Sequence, residues 1–504
     1  MSSICKNPTT FAQISCISRG TFAQISCISR GRCHIKGILG ICIFPHERLL
    51  GLLGDFVYAM RIEREITAAL LRWKDSARRK PLLLKGVRQC GKTWLLTHFG
   101  KEHFDSCAYF NFERQQGLSS LFDGDYDPAQ LLLRLSAFSG QQLVPGKTLI
   151  VFDEIQLCPR ALNSLKYFCE ETPEYAIAAA GSLLGVSLAR SHSGFPVGKV
   201  DTLELTPCSF REYLRAANPA LAEYISTLKL APLEDAFAAK LTAHLREYLT
   251  FGGMPAALSA FLESKDLHDA DDELDAIMDA YVSDFSKHIP ASDTPKLSLL
   301  WQSIPAQFAR ENRRFFYSEV RPGARAKDLE DALQWLLSAQ MVRKVDRVET
   351  PEYPLVAVAD RKVFKLYPAD VGVLRKLARI GSDVSINSPD LFADFKGRLT
   401  ENFALEQLAS LGYNPICYWC NAGGTAEVDF LIQARDQILP IEVKSGLSLN
   451  AKSLKVYRQK YQPQISVRTS LQNLRFDDGL LNIPLYLLSE LPRFLKELQE
   501  GSQR

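Results

Sequence analysis

Pro81-Leu82-Leu83-Leu84-Lys85, Gly86-Val87-Arg88-Gln89-Cys90-Gly91-Lys92-Thr93 and Trp94-Leu95-Leu96-Thr97-His98-Phe99 follow one another without a break. An apolar run, a loop spelled G-x-x-x-x-G-K-T and a helix in that order form an anion cradle, because successive backbone N–H groups at a helix N-terminus point at one place. The spacing predicts that Gly86, Val87, Arg88, Gln89, Cys90, Gly91, Lys92 and Thr93 hold the phosphates of ATP. Lys92 is expected at the β- and γ-phosphates and Thr93 on Mg2+.

A second part of such a site is expected where Thr148-Leu149-Ile150-Val151-Phe152 ends in Asp153-Glu154. An aspartate at the end of a buried strand beside the loop holds Mg2+ through water, and Glu154 is placed to orient the attacking water as general base. Ser182, ending the next strand, reads either as a sensor of the γ-phosphate or as the cap of the helix that starts at Leu183. Arg88, Arg190 and Lys199 are candidate transition-state cations, each with an ordinary surface ion pair as the plainer reading. Cys90 reads as a small side chain filling a tight loop, with redox control as the alternative.

The chain around these motifs has 504 residues, 46% of them hydrophobic and 23% charged, so an ordinary globular protein of several domains is expected. No apolar run reaches the roughly 18 residues that span a bilayer. The twelve cysteines are scattered and no signal peptide precedes them, which points to a reducing, cytoplasmic setting without a membrane. Cys417 and Cys420 make one C-x-x-C with no second pair at zinc spacing, and read as packed thiols.

Thr10–Gly20 and Thr21–Gly31 are identical 11-residue copies, which resemble a recent duplication more than a folding repeat. Residues 1–59 are therefore expected to be a non-native or disordered extension, with the natural product starting near Met60. That segment holds six Lys/Arg against two Asp/Glu, while the whole chain carries +3, so 60–504 is close to neutral. Overall basicity gives no argument for nucleic acid; only local patches do.

From Met60 the pattern predicts a helix over 60–79, strands at 107–112, 148–152 and 175–180, and helices at 127–138 and 161–171. Strands alternating with helices imply a parallel sheet covered on both faces. The core is expected over 60–205, and the run from Arg64 through Tyr213 resembles a prokaryotic AAA-type P-loop ATPase family, on G-x-R-Q-x-G-K-T at Gly86–Thr93, F-D-E-I-Q at Phe152–Gln156, Gly181-Ser182 and Pro207-Cys208-Ser209-Phe210. Tyr248-Leu249-Thr250-Phe251-Gly252-Gly253-Met254-Pro255 resembles that family's signature in a helical lid, here 206–299. Residues 300–384 read as a winged-helix region and linker. Its Arg310, Arg313, Arg314, Arg321 and Arg325 keep DNA as a candidate partner, while its acidic second helix favours protein packing.

Beyond Gly397 a second chemistry is expected. Glu401 lies on a helix, Leu399–Leu408, and Glu427–Ile432 with Ile438–Lys444 makes a hairpin. Side chains alternate along a strand, so Glu442 and Lys444 share a face. Asp429, Glu442 and the carbonyl of Val443 form a candidate Mg2+ set, with Lys444 activating water against a phosphodiester. The pattern resembles the PD-(D/E)xK nuclease superfamily, with Glu401 as its helical acid, although Val428 stands where the signature spells proline. The expected fold class is α/β: an ATPase core, lid and winged-helix region, then a restriction-endonuclease-like domain at 385–504. The resemblance implies an ATPase controlling a domain that binds or cleaves DNA. The alternative is a nucleotide-dependent switch or scaffold for a protein partner or homo-oligomer, with an inactive nuclease-like domain.

Overall fold

The computed structural model describes residues 13–18, 21–28, 32–37, 40–45, 62–181, 198–288, 293–308, 314–383, 393–446 and 451–501. Residues 1–61 and 62–504 are two separate units. In the first, β1 (Gln13–Ser18), β2 (Thr21–Ile28), β3 (Arg32–Gly37) and β4 (Gly40–Pro45) form an antiparallel sheet in chain order. β1 belongs to one repeat copy and β2 to the other, and they pair through Gln13 to Ser26 and Cys16 to Ala23. The alternation of polar and apolar residues in each copy suits a strand.

In the second unit, β5 (Leu82–Gly86), β6 (Ser106–Asn111), β7 (Thr148–Asp153), β8 (Ala176–Ala180) and β9 (Asp201–Leu205) form a parallel sheet in the order β6-β7-β8-β5-β9. Alternation divides β7 between two layers: Leu149 and Val151 pack with Leu95, Leu96 and Phe99, whereas Ile150 and Phe152 pack with Leu131, Leu135, Leu165 and Phe168. Asp127 caps the helix Pro128–Ser139, accepting from the N–H groups of Ala129 and Gln130. The strand bearing Asp153 is not next to β5, because β8 lies between them. The first helix is shorter than expected, Thr67–Lys74. Upstream, Glu65 N donates to the Glu212 carboxylate at 2.6 Å and Arg64 is buried, so tertiary bonds replace helical ones.

The lid contains the helices Asp235–Phe251, Pro255–Ser264 and Leu267–His288. Gly252 ends the first at φ +75° and Pro255 starts the second. Asp370 locks this turn from outside, accepting from Gly253 N at 2.6 Å and from Val373 N at 3.0 Å. Burial pushes its carboxyl up to about 6 from an ordinary 3.8, against the opposite pull of the N–H donors. A raised native value means that the folded state binds the proton more tightly. This contribution is therefore complete below about pH 4 and is lost as pH rises through about 6, worth about 3 kcal/mol. Urea unfolding from pH 4 to 7 should show the parent losing stability relative to Asp370→Asn by about that amount. A parallel pH dependence of the two proteins would refute this.

The region expected as a winged helix contributes the helices Thr294–Phe308 and Ala326–Ser338, then β10 (Val342–Val348) and β11 (Ala359–Pro368). The sheet they begin continues beyond 384. β10 pairs antiparallel with β11 and parallel with β12 (Ile416–Cys420), which joins them to β13 (Glu427–Ala434), β14 (Gln437–Val443), β15 (Ser466–Ser470), β16 (Arg475–Asp477) and β17 (Leu480–Pro484). The result is one eight-stranded sheet, β11-β10-β12-β13-β14-β15-β17-β16. Cys417 and Cys420 are both buried, in different apolar clusters. Burial pushes the Cys417 thiol up to about 12, as suits a packed thiol.

Candidate active sites

Gln89 at φ +64° and Gly91 at φ +92° turn the loop between β5 and the helix Lys92–His103. A Cβ on Gly86 would stand 2.5 Å from Leu205 O, so only glycine fits there. Lys92 is buried, and its Nζ donates to Gly86 O at 2.9 Å and Val87 O at 2.8 Å. Arg64 braces the loop from behind, donating to Cys90 O at 3.0 Å and Thr206 O at 2.6 Å and pairing with Glu212 at 3.1 Å.

Despite the intervening strand, Thr93 Oγ1 donates to Asp153 Oδ2 at 2.9 Å. The same carboxylate oxygen accepts from Tyr109 OH at 2.7 Å and Asn111 Nδ2 at 3.2 Å. Tyr109 and Asn111 were not singled out from sequence, although they occupy alternate positions at the end of a parallel strand, the pattern that puts two side chains on one face. Glu154 adopts φ +51° and accepts from Gln156 Nε2 at 2.5 Å. A hydroxyl beside a buried carboxylate is a donor set that suits a hard cation such as Mg2+.

Arg88 is held by Asp284 of the lid, with both carboxylate oxygens at 2.8 Å, and Lys199 pairs with Glu170 at 2.9 Å. Both therefore occupy ion pairs. Ser182, Arg190, Arg310 and Arg313 lie outside the described residues. Cys90 is fully buried in the loop.

At the C-terminal site Asp429 and Glu442 lie opposite one another on β13 and β14, in the register that pairs Phe430 with Ile441. Val443 N donates to Asp429 Oδ2 at 2.8 Å, and Lys444 Nζ to Glu442 Oε1 at 2.6 Å. Burial, and then the charge of Asp429, push the Glu442 carboxyl up to about 7, with Lys444 pulling the other way. Glu442 Oε2 is buried without a hydrogen-bond partner among the described residues, so these two carboxylates suit a cation. Glu401, on the helix Ala393–Ser410, is held instead by Tyr367 OH and by Lys365 Nζ at 3.1 Å. The buried Lys365 also pairs with Glu427 at 2.7 Å. Its sequence signal is a lysine inside the otherwise apolar run Val363–Tyr367. Among the described residues, no group of three or more His, Cys, Asp or Glu side chains gathers to hold a metal.

Comparison with known proteins adds the following. Residues 78–214 match the family described as an AAA domain. The stretch from Gly86 to Glu154 lies inside the residues matched to that AAA family. Residues 242–384 and 396–488 match two families described only as domains of unknown function, DUF8612 and DUF4143. Uncharacterized proteins Mb2031c of Mycobacterium bovis and Rv2008c of Mycobacterium tuberculosis are each 26% identical over 404 residues, spanning 77% of this chain and 75% of theirs. Among solved structures, the Walker-type ATPase PABY2304 of Pyrococcus abyssi aligns with TM-score 0.42 and 16% identity over 64% of this chain and 96% of its own. The ORC2 protein of Aeropyrum pernix, in ADPNP and ADP complexes, aligns with TM-score 0.32 and 14% identity over 65% and 94%. Among the described residues no helix is long and apolar enough to cross a membrane.

Proposed function

We propose that the chain is a cytoplasmic, Mg2+-dependent ATPase whose nucleotide cycle controls a C-terminal nuclease-like site that binds or cleaves DNA. The observation that carries the ATPase reading is the 2.9 Å contact of Thr93 with Asp153 at the mouth of the Gly86–Thr93 loop. On ATP arrival Lys92 exchanges the Gly86 and Val87 carbonyls for the β- and γ-phosphates. Thr93 and Asp153 would hold Mg2+, which would supply charge to neutralise the phosphates. Glu154, one residue beyond Asp153, orients the attacking water.

The path to the C-terminal half runs through packed residues. Arg88 of the loop is tied to Asp284 of the lid, and Phe210 N donates to Gln407 Oε1 at 3.0 Å on the helix that bears Glu401. At the far end Lys444 is the candidate for activating water, with Asp429 and Glu442 on the metal. Purified protein with Mg2+ and supercoiled plasmid tests this half: cleavage is expected, and Lys444→Ala should lower it at least about a hundredfold while ATP turnover stays unchanged.

The second reading, a nucleotide-dependent switch or scaffold for protein partners, is favoured by one observation. Glu401 bonds to Lys365 and Tyr367, and among the described residues no three acidic, His or Cys side chains gather to hold a metal. Intact plasmid with unaltered ATP turnover would support it.

A further inference from the structure

A cleft of about 700 Å³ runs between the ATPase core and the C-terminal sheet, away from the Thr93–Asp153 pair. One wall is the outer edge of β9: residues 202–206 all line it. Among the described residues β9 pairs only with β5 and is the end strand of its sheet. Asp201 N donates to Pro81 O on the β5 side, so by alternation Thr202 and Glu204 direct their main-chain groups away from β5. An edge of this kind presents a row of donors and acceptors ready to pair with another extended chain. Five residues of strand span about 16 Å.

The other walls carry charge. Arg72 on the first helix and Arg343 and Lys344 on β10 line the cleft, as do the more deeply set Arg64 and Arg211. Arg64 is paired with Glu212 and Arg211 with Glu65 and Glu490, and the Lys344 amine turns to Asp346 and Arg361 O on the other face of β10, so Arg72 and Arg343 are the cations offered to a ligand. Arg343 now spans the opening to Glu204 at 2.5 Å, and side chains that are 27% and 42% exposed can exchange such a pair for another carboxylate at little cost.

We propose that this cleft takes an extended acidic segment of a partner protein as an added strand on β9, with Arg72 and Arg343 meeting its carboxylates. Main-chain pairing supplies the binding and the basic wall selects the sequence. A polypeptide suits the edge better than a nucleic acid does. It offers N–H groups to the outward carbonyls of β9, whereas a phosphodiester presents only acceptors to them.

The test is fluorescence anisotropy with the full chain and a fluorescein-labelled (Glu-Val)5 peptide. The same peptide with a central Val-to-Pro change, (Lys-Val)5 and labelled dT10 serve as competitors for comparison. Binding by (Glu-Val)5 alone is expected. Thr202→Pro removes an outward N–H without touching the β5 pairing, and should weaken binding roughly tenfold, as should Arg343→Glu. Thr202→Ala should bind as the parent does. Thermal unfolding and ATP turnover of each variant show that the fold survives, since neither position belongs to the nucleotide site. Equal affinity of the parent, Thr202→Pro and Arg343→Glu would overturn the proposal, as would absence of peptide binding or preference for dT10.

Discussion

Lys92→Ala is expected to lose ATP binding and to release phosphate at least about a hundredfold more slowly than the parent, the usual consequence of removing a charge aimed at the transferred group. Among the described residues the buried amine has no carboxylate partner. It rests on two loop carbonyls, Gly86 O and Val87 O, and is therefore held ready for phosphate. Its loss should leave the loop's shape largely intact, because Arg64 on Cys90 O and Asp284 on Arg88 hold the loop independently. Equilibrium binding of a fluorescent ATP analogue, with circular dichroism as a fold control, measures this. Unchanged affinity in Lys92→Ala would remove the phosphate role assigned to that side chain.

Gly253→Ala is expected to destabilise the protein by about 3 kcal/mol or more, among the largest effects of a single methyl, because it strains packed backbone. A Cβ at Gly253 would stand 2.1 Å from Cys208 O and 2.7 Å from Tyr248 OH. Neither neighbour can withdraw. Cys208 N donates to Gly253 O at 2.7 Å, and Tyr248 OH donates to Cys208 O at 2.5 Å. The turn also sets the lid on the nucleotide loop: Pro255 approaches within 3.7 Å of the position a Cβ on Gly91 would take. Lower ATP affinity should therefore accompany the lower unfolding midpoint in urea. A midpoint equal to the parent's would show that this junction yields.

What can be read from the residues is what depends on near neighbours in the chain. Leu82–Gly86 with the loop and helix after it, and the apolar strand ending at Asp153, carry their own periodicity and punctuation, and the structure contains both. The Glu427–Val443 hairpin is of the same kind, turning through Arg435 at φ +59°. Long-range pairing is not legible in this way. Nothing local announces that β8 separates β5 from β7, or that β10 continues into the sheet of β12 across a boundary expected at 384. Electrostatic partners are equally remote in sequence: Glu401 takes Lys365 and Tyr367, and Arg88 takes Asp284. The helix expected over 60–79 contracts to Thr67–Lys74 for the same reason, since Arg64 and Glu65 bond to Glu212 rather than along a helix.

The central claim is that ATP is hydrolysed at the junction of the Gly86–Thr93 loop with Asp153-Glu154. Its most direct test compares steady-state phosphate release and ATP binding in the parent and Glu154→Gln, with Mg2+ present. ATP binding should stay within about twofold of the parent and turnover should fall by about a hundredfold or more, because the amide keeps the side chain's shape but cannot accept the water's proton. Equal hydrolysis by Glu154→Gln and the parent would contradict it.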